Sequence, residues 1–156
     1  MILPAEDEDF EALLAGKPVQ DLRSGVRIAP DPVIQMLRDL ANRIRATCDP
    51  AAWWMVEDDE VVGLCSITSG PSAEGVIDIG YGVSDSHEGR GVATRAVGEV
   101  LKWARLRSDL TAVTAETSIH NPASQRVLER NGFVRTGART DAEDGDLICW
   151  RIPVAS

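Results

Sequence analysis

The sequence contains little that would specify a metal centre, a disulfide framework or a membrane anchor. Three of its 156 residues are cysteines, and Cys48, Cys65 and Cys149 stand far apart without a Cys-x-x-Cys pair or a Cys/His cluster. This spacing predicts no metal site and no disulfide bonds, and it favours reduced thiols in the cytoplasm. A membrane span would need about 18 consecutive apolar residues, and no such run occurs. The start of the chain is acidic where a signal peptide would be basic.

Positive charge is scarce as well. The chain has 16 lysine and arginine residues against 25 aspartate and glutamate residues, for a net charge of −9, which argues against nucleic acid as a main partner. One group of acids precedes the last predicted strand and comprises Asp141, Glu143, Asp144 and Asp146. We interpret this group either as a solvated surface or as negative charge that would attract a cationic substrate.

The length and the order of the apolar segments predict one domain over residues 1–156. Helical periodicity alternates with short apolar strands, a pattern typical of an α/β protein with a mixed sheet. Trp53 and Trp54 are adjacent on one predicted strand, so we expect one of them to face a cleft or the partner in a homodimer. Helices are predicted over residues 4–15, 31–48, 89–107 and 121–131, and strands over residues 52–57, 61–68, 76–83, 112–117, 134–139 and 147–152, with a short extended piece at 25–29.

The most informative segment is the junction between strand 76–83 and the helix that follows it. The turn Gly89-Arg90-Gly91 opens directly into that helix. Unpaired N–H groups at a helix N-terminus favour an anion, and glycines let a phosphate approach the backbone closely, so the junction predicts a phosphate site. The dinucleotide fingerprint Gly-x-Gly-x-x-Gly does not fit, because Thr94 or Asp85 occupies its third glycine position. A P-loop is excluded because no Gly-Lys-Ser/Thr occurs.

Residues 89–94 resemble instead the pyrophosphate loop of the GNAT acyl-CoA N-acyltransferases, Gln/Arg-x-x-Gly-x-Gly/Ala, except that Ser86 replaces its first residue. Segment 115–133, with Asn-x-x-Ser, an amphipathic helix and Gly-Phe, resembles the second hallmark of that family. Both segments are most similar to the RimJ/RimL-like branch, typified by ribosomal-protein alanine N-acetyltransferases. The resemblance implies a GNAT-like α/β (α+β) fold with about six or seven strands and about four helices. Strands 76–83 and 112–117 would be parallel neighbours that splay apart into a cleft.

This resemblance implies an acetyl-CoA-dependent N-acetyltransferase. A primary amine of a protein N-terminus or of a small molecule would attack the acetyl group directly in a ternary complex, and the acidic surface would suit a cationic amine. Ser86 departs from the family pattern, and so does Leu128, at a position where many relatives carry tyrosine. Two alternatives therefore stay open: a non-catalytic acyl-CoA-binding or regulatory module, and a nucleotide-binding α/β protein of another type.

Four side chains are candidates for the chemistry. Asp78 and Glu116, on the two splayed strands, are candidate bases for the amine, and the alternative for each is an exposed acid or a structural hydrogen bond. By the resemblance, Ser124 of Asn-x-x-Ser would protonate the leaving thiolate, and the alternative is a hydroxyl that bonds back to Asn121. Tyr81, the single tyrosine, is a second candidate acid or a core residue.

The resemblance also implies which residues hold the cofactor. A backbone N–H near Val83 would stabilise the oxyanion, and Asn121 would both cap its helix and contact the pantetheine arm. Arg95 is a further candidate for a phosphate contact, whereas His87 and His120 are interpreted as surface residues. The expected cofactor contacts are Val83, Ser84, Glu88, Gly89, Arg90, Gly91, Val92, Ala93, Thr94, Asn121 and Ser124.

Overall fold

The computed structural model describes residues 1–155. The strands are β1 (Ile2–Pro4), β2 (Ala52–Glu57), β3 (Glu60–Ser69), β4 (Val76–Val83), β5 (Ala112–Ser118), β6 (Val134–Asp141) and β7 (Gly145–Pro153). The helices are α1 (Asp7–Leu14), α2 (Asp31–Ile44), α3 (Val92–Arg105) and α4 (Pro122–Arg130). The strands form one sheet in the order β1-β2-β3-β4-β5-β7-β6. Among the described residues, none of the helices is both long enough and apolar enough to span a lipid bilayer.

The sheet is mixed, as the sequence predicts. β4 and β5 pair in parallel, and the other neighbouring strands described here pair antiparallel. The helix predicted at 4–15 begins later, at Asp7, because the first residues form β1 and pair with β2. Residues 25–29, predicted to be a short extended piece, form no strand, and their apolar side chains line a groove beside α1 and α2. A bridge between Arg23 and Glu60 joins the preceding segment to the sheet instead.

Helices cover both faces of the sheet, which buries the paired tryptophans of β2. Trp54 packs against Phe10 of α1 with ring centroids 4.8 Å apart, and Trp53 packs against Trp103 of α3 at the same separation. Successive residues of a strand face opposite sides, so α1 and α3 lie on opposite faces. Trp53 and Trp54 are 2 % and 0 % exposed, and the expectation that one of them faces a cleft or a partner chain is therefore wrong.

β4 and β5 pair over only part of their length. Their parallel register ends where Ile79 lies opposite Ala115. Beyond this point residues 80–83 pair with β3 and residues 116–118 pair with β7, so the two strands separate. The predicted splay is confirmed, and it opens the sheet at the end of β4.

An ion pair between α1 and α2 gives a test of this packing. Asp7 accepts hydrogen bonds from Arg38 Nε at 2.7 Å and Nη2 at 2.8 Å, and from Asn42 Nδ2 at 2.8 Å. The Arg38 guanidinium holds the pKa of Asp7 well below its usual range. A carboxyl whose pKa is lower in the folded chain stabilises the fold above its unfolded pKa, and this stabilisation is lost as the pH falls.

We therefore expect Asp7→Asn to lower the melting temperature by a few degrees at neutral pH, where the pair is half exposed and partly screened. The difference from the unmodified chain should shrink as the pH falls below the ordinary aspartate pKa of about 3.9. Thermal unfolding followed by circular dichroism, from neutral pH down to about pH 3, measures this dependence. A difference that stayed constant over the whole range would contradict the ion pair.

Candidate active site

A cavity of about 180 Å³ lies beside the end of β4, between the start of α3 and α4. It lies where the sequence predicts a phosphate site, and it runs along residues 81–83, which belong to the part of β4 that does not pair with β5. Its walls are residues 81–83 of β4, residues 87–89 and 91–94 of the loop and first turn of α3, and Asn121, Ala123, Ser124, Arg126, Val127 and Arg130 of α4 and its cap.

The loop at one end of the cavity has the backbone conformation that glycine favours. Gly89 and Gly91 have φ values of +77° and +76°, in the left-handed region that residues with a Cβ rarely adopt. Gly91 is the N-cap of α3, and no side chain among the described residues caps the helix there. The free N–H groups of the first turn and the helix dipole therefore make this end attractive to an anion. The space before Gly89 is open, since an added Cβ would meet no atom within 4 Å.

Two predicted cofactor contacts lie outside the lining of the cavity. Ser84 is buried, and its Oγ lies 2.8 Å from Nδ1 of His87, so that it supports the loop from within the protein. Arg90 does not line the cavity either. His87 itself, which the sequence analysis assigns to the surface, lines the cavity, because the short 3₁₀ turn Asp85–His87 places it beside the glycine loop.

Arg95 supports the glycine loop and does not line the cavity. Its Nη1 donates to the backbone oxygen of Arg90 at 3.0 Å, and its Nη2 donates to Oε1 of Glu57 at 3.4 Å. The guanidinium is used in these two contacts. Arg95 therefore stabilises the glycine loop instead of making the expected phosphate contact.

Two arginines that the sequence analysis does not single out face the cavity from α4. Ala123, Arg126, Val127 and Arg130 recur at helical spacing, which places them on one face of the helix. The same spacing counted from the cap residue Asn121 gives residues 124, 125 and 128, so only the packing of α4 shows that these arginines face the cavity. Their positive charge faces the same cavity as the N-terminus of α3, so phosphate groups bound there would meet favourable potential from both walls.

Tyr81 and Ser124, which are 43 residues apart in the sequence, are joined by hydrogen bonds at the cavity wall. Ser124 Oγ donates to Tyr81 Oη at 3.0 Å, and Tyr81 Oη donates to the backbone oxygen of Ser124 at 2.9 Å. The backbone N–H of Ser124, and not its hydroxyl, donates to Asn121 Oδ1 at 3.1 Å. Burial raises the pKa of Tyr81 to about 12, so the phenol stays protonated at neutral pH. Leu128, where many relatives carry tyrosine, is wholly buried.

The register of β3 and β4 orients a backbone donor toward the opening of the sheet. The N–H of Ser84 donates to the backbone oxygen of Val62 at 2.8 Å, and alternate residues of an antiparallel strand point their N–H groups to opposite edges. The N–H of Val83, one residue earlier, therefore points to the edge from which β5 has separated. The family resemblance implies a donor near Val83, but no side-chain pattern could have shown the direction of its N–H group.

Asp78 lies on the face of the sheet opposite Tyr81, and it does not line the cavity. Its Oδ2 accepts from Thr68 Oγ1 at 2.6 Å, and its Oδ1 accepts from Thr114 Oγ1 at 2.7 Å. Burial raises the pKa of Asp78 above the ordinary aspartate value in spite of these two donors. A carboxylate with a raised pKa holds a proton more tightly. Asp78 is therefore suited to accept a proton on the face of the sheet opposite the cavity.

Glu116 faces the same side of the sheet as Asp78 but is engaged in an ion pair. Its two oxygens accept from Nε and Nη2 of Arg139, the second at 2.9 Å. The Arg139 guanidinium lowers the pKa of Glu116, which makes its carboxylate a weaker base. Between the two predicted bases the geometry favours Asp78.

Comparisons with known proteins place this chain in a family. Residues 1–134 match the family described as "Acetyltransferase (GNAT) domain". The uncharacterized N-acetyltransferase YjdG of Bacillus subtilis (strain 168) is 29 % identical over 103 residues, which are 65 % of this chain and 61 % of that protein. The ribosomal-protein-serine acetyltransferase of Escherichia coli (strain K12) is 28 % identical over 87 residues, which are 56 % of this chain and 49 % of that protein. The chain thus spans about half to three fifths of these relatives.

Solved structures with a similar fold include two kinds of N-acetyltransferase. RimL, a ribosomal L7/L12 alpha-N-protein acetyltransferase, gives a TM-score of 0.73 at 18 % identity, covering 99 % of this chain and 93 % of that chain. A complex of RimL with coenzyme A gives 0.72 at 17 % identity, covering 97 % and 92 %. A chimera based on the spermidine N-acetyltransferase SpeG of Vibrio cholerae gives 0.71 at 16 % identity, covering 99 % and 95 %. At these identities the similarity shows the fold.

Proposed function

Since this chain belongs to the GNAT family of acetyltransferases, we propose that it is a single N-acetyltransferase domain that transfers an acetyl group from acetyl-CoA to a primary amine. The observation that carries the proposal is the position of the cavity, which extends from the uncapped N-terminus of α3 to residues 81–83 of β4, beyond the last residue of β4 that pairs with β5. One end of this cavity suits phosphate groups, and the other reaches a backbone donor on a splayed strand.

The residues around the cavity fit coenzyme A. The N–H groups of residues 91–94 would hold the pyrophosphate, and Arg126 and Arg130 would add charge-assisted contacts to phosphate oxygens. Asn121 and the free edge of β4 would contact the pantetheine arm. When bound, acetyl-CoA would supply a thioester carbonyl that an amine attacks directly in a ternary complex.

Asp78 is the proposed base, and the amine would reach it from the sheet face opposite the cavity. An alkyl ammonium group with a pKa of about 10 must lose a proton before it can attack a carbonyl. Asp78, whose pKa is raised by burial, would accept that proton directly or through a water molecule, and Glu116 is the second candidate. The two substrates would then enter from opposite faces and meet where β4 and β5 separate.

Val83 and Ser124 would stabilise the two other charges that develop during the reaction. The N–H of Val83 points to the opening and would donate to the carbonyl oxygen as that oxygen becomes negative. The Ser124 hydroxyl, which donates to Tyr81 in the free chain, would turn toward the departing thiolate and give it a proton, with the protonated phenol of Tyr81 beside it. A C–N bond forms as the C–S bond breaks. The nitrogen, which gives one proton to Asp78 before the attack, releases its second proton to solvent afterwards, and solvent also takes the proton from Asp78 and returns one to Ser124.

We expect Ser124→Ala to lower kcat about tenfold or more and to change the Kd of CoA much less, because it removes the proton donor and only one hydroxyl group from the cavity wall. Tyr81→Phe should also lower kcat, and the double variant should be no slower than the slower single variant, because the two hydroxyls act as one chain. Thiol-release kinetics and CoA titrations measure these effects. A loss of CoA affinity with kcat preserved would make Ser124 a binding residue.

A cationic amine is the proposed acceptor. The turn between β6 and β7, residues 141–146, carries four acids. It lies next to the Glu116–Arg139 pair, since Asp141 Oδ2 is 3.6 Å from Arg139 Nη1. This negative charge on the Asp78 side of the sheet supports a cationic acceptor such as spermidine or a protein N-terminus. The free thiols among the described residues support a cytoplasmic setting.

The first test is a thermal-shift titration with acetyl-CoA, CoA, NAD and ATP, each alone. Stabilisation by acetyl-CoA and CoA only, followed by thiol release with spermidine or with a peptide that has a free N-terminus, would support the proposal. Stabilisation by CoA without thiol release from any amine would favour a non-catalytic acyl-CoA-binding module. Stabilisation by NAD or ATP instead would overturn the assignment of the glycine loop.

A further inference from the structure

Asn131 joins the two helices that form opposite walls of the cavity. It is the C-cap of α4, and its Nδ2 donates to the backbone oxygens of Val127 at 2.9 Å and of Thr94 at 3.1 Å. Val127 lies on the α4 wall and Thr94 in the first turn of α3, and both line the cavity, whereas the half-buried Asn131 does not. One amide group thus ties the two walls together from outside the cavity.

The orientation of this amide follows from its partners. Both partners are carbonyl oxygens, which only accept, so the NH₂ group and not Oδ1 must face them. Gly98, one helical turn after Thr94, leaves room on the other side of the amide, because a Cβ at Gly98 would lie 3.1 Å from Asn131 Oδ1. Glycine is unfavourable inside a helix relative to alanine, and here its missing Cβ admits the amide.

We propose that Asn131 is a positioning residue for acetyl-CoA, whose amide fixes the separation of α3 and α4 and thereby the width of the cavity. The inference rests on the proposed function, because it takes the cavity as the acetyl-CoA site. Asn131 acts through Thr94 and Val127 and touches no reacting atom. The N–H groups at the start of α3 and the arginines of α4 can hold the same ligand only when the two helices keep this distance.

Asn131→Asp is the sharpest variant, because it keeps the shape of the side chain and turns a carboxylate toward two carbonyl oxygens. We expect the Kd of CoA and the KM for acetyl-CoA to rise about tenfold, the size of effect that the net loss of one or two hydrogen bonds produces, with kcat unchanged.

Asn42→Asp is the matched control. Asn42 Nδ2 donates to Asp7 Oδ1 at 2.8 Å on the surface between α1 and α2, and Asn42 Oδ1 accepts from Arg45 Nη1 at 2.6 Å. This variant also sets a carboxylate against an oxygen, but away from the cavity and beside an arginine. It should leave the Kd of CoA unchanged, whatever its effect on the melting temperature. The comparison separates a change in cavity width from a general loss of stability.

A double-mutant cycle with Gly98 tests the same contact even where Asn131→Asp fails to fold. Gly98→Ala should weaken CoA binding and lower the melting temperature of the unmodified chain, because the new methyl group meets the amide. In the Asn131→Ala background the amide is gone, and the same Gly98→Ala change should raise the melting temperature, as alanine normally does inside a helix.

Isothermal titration with CoA and steady-state kinetics separate the outcomes. Weaker CoA binding confined to the Asn131 and Gly98 variants supports the inference. An equal Kd for Asn131→Asp, Asn42→Asp and the unmodified chain overturns it, as does a Gly98→Ala effect that is the same in both backgrounds. Failure of the unmodified chain to bind CoA overturns the proposed function itself.

Discussion

Replacing Gly89 by glutamate should abolish the binding of CoA and acetyl-CoA. Gly89 lines the cavity, and no atom lies within 4 Å of the place where its Cβ would be, so the new carboxylate can extend into the space before α3. There it would take the position of an anionic ligand and repel phosphate groups. Repulsion between unit charges a few ångströms apart near a protein surface corresponds to about a hundredfold loss of affinity or more.

Gly16→Glu is the control for backbone strain and added charge. Gly16 has φ +71°, close to the +77° of Gly89, and an added Cβ there would also meet nothing within 4 Å. It follows α1 and does not line the cavity. Both variants should lose similar stability, and isothermal titration should show lost CoA binding for Gly89→Glu only. A CoA affinity for Gly89→Glu close to that of Gly16→Glu would refute the phosphate loop.

Asp78→Asn should lower kcat about a hundredfold while the Kd of CoA stays the same, because Asp78 lies on the face of the sheet opposite the cavity. Glu116→Gln is the comparison, and we expect a much smaller effect, since the carboxylate of Glu116 is already held by Arg139. Thiol release at saturating acetyl-CoA and amine measures both variants. If Glu116→Gln were the slower of the two, the base would be Glu116.

The pH dependence gives a second readout for Asp78. Burial raises its pKa, so the basic carboxylate form is lost as the pH falls through a value above that of an ordinary aspartate. In the unmodified chain kcat/KM should therefore rise with pH through that region, and Asp78→Asn should lack this limb of the profile. If Asp78→Asn kept the rise of kcat/KM with pH, a group other than Asp78 would be responsible for that rise.

The same pKa shift has a consequence for stability. A raised pKa means that the folded chain binds the proton more tightly than the unfolded chain, so the contribution of Asp78 to stability decreases as the pH rises through this window. We accordingly expect Asp78→Asn to keep or raise the melting temperature at neutral pH. This outcome would separate its loss of kcat from unfolding.

The glycine loop and the strand before it could be predicted because short segments determine them. β4 spans residues 76–83, as its apolar pattern predicts, and Gly89 and Gly91 both adopt positive φ values. Such conformations depend on neighbouring residues and on the absence of a Cβ. The family could be recognised for the same reason, since its two motifs are short segments whose spacing the chain preserves.

Features that depend on distant partners could not be predicted. The sequence offers Ser124 and Tyr81 as separate candidates, and the packing of α4 beside β4 joins their hydroxyls. It offers Asp78 and Glu116 as equal bases, and pairing of β6 with β7 brings Arg139 into an ion pair with Glu116 but not with Asp78. No short segment of the sequence indicates that Ser124 contacts Tyr81 or that Arg139 pairs with Glu116.

By itself, the sequence determined the family, the alternation of helices and strands, and the place of an anion site at the start of α3. Only the tertiary structure decided which candidate base carries a raised pKa, which arginines face the cavity, and that Asn131 ties its two walls together. The physical reason is that turns, caps and periodicity arise from residues close in the chain. Burial, charge pairing and cavity shape arise from contacts between segments whose register and facing side no single segment specifies.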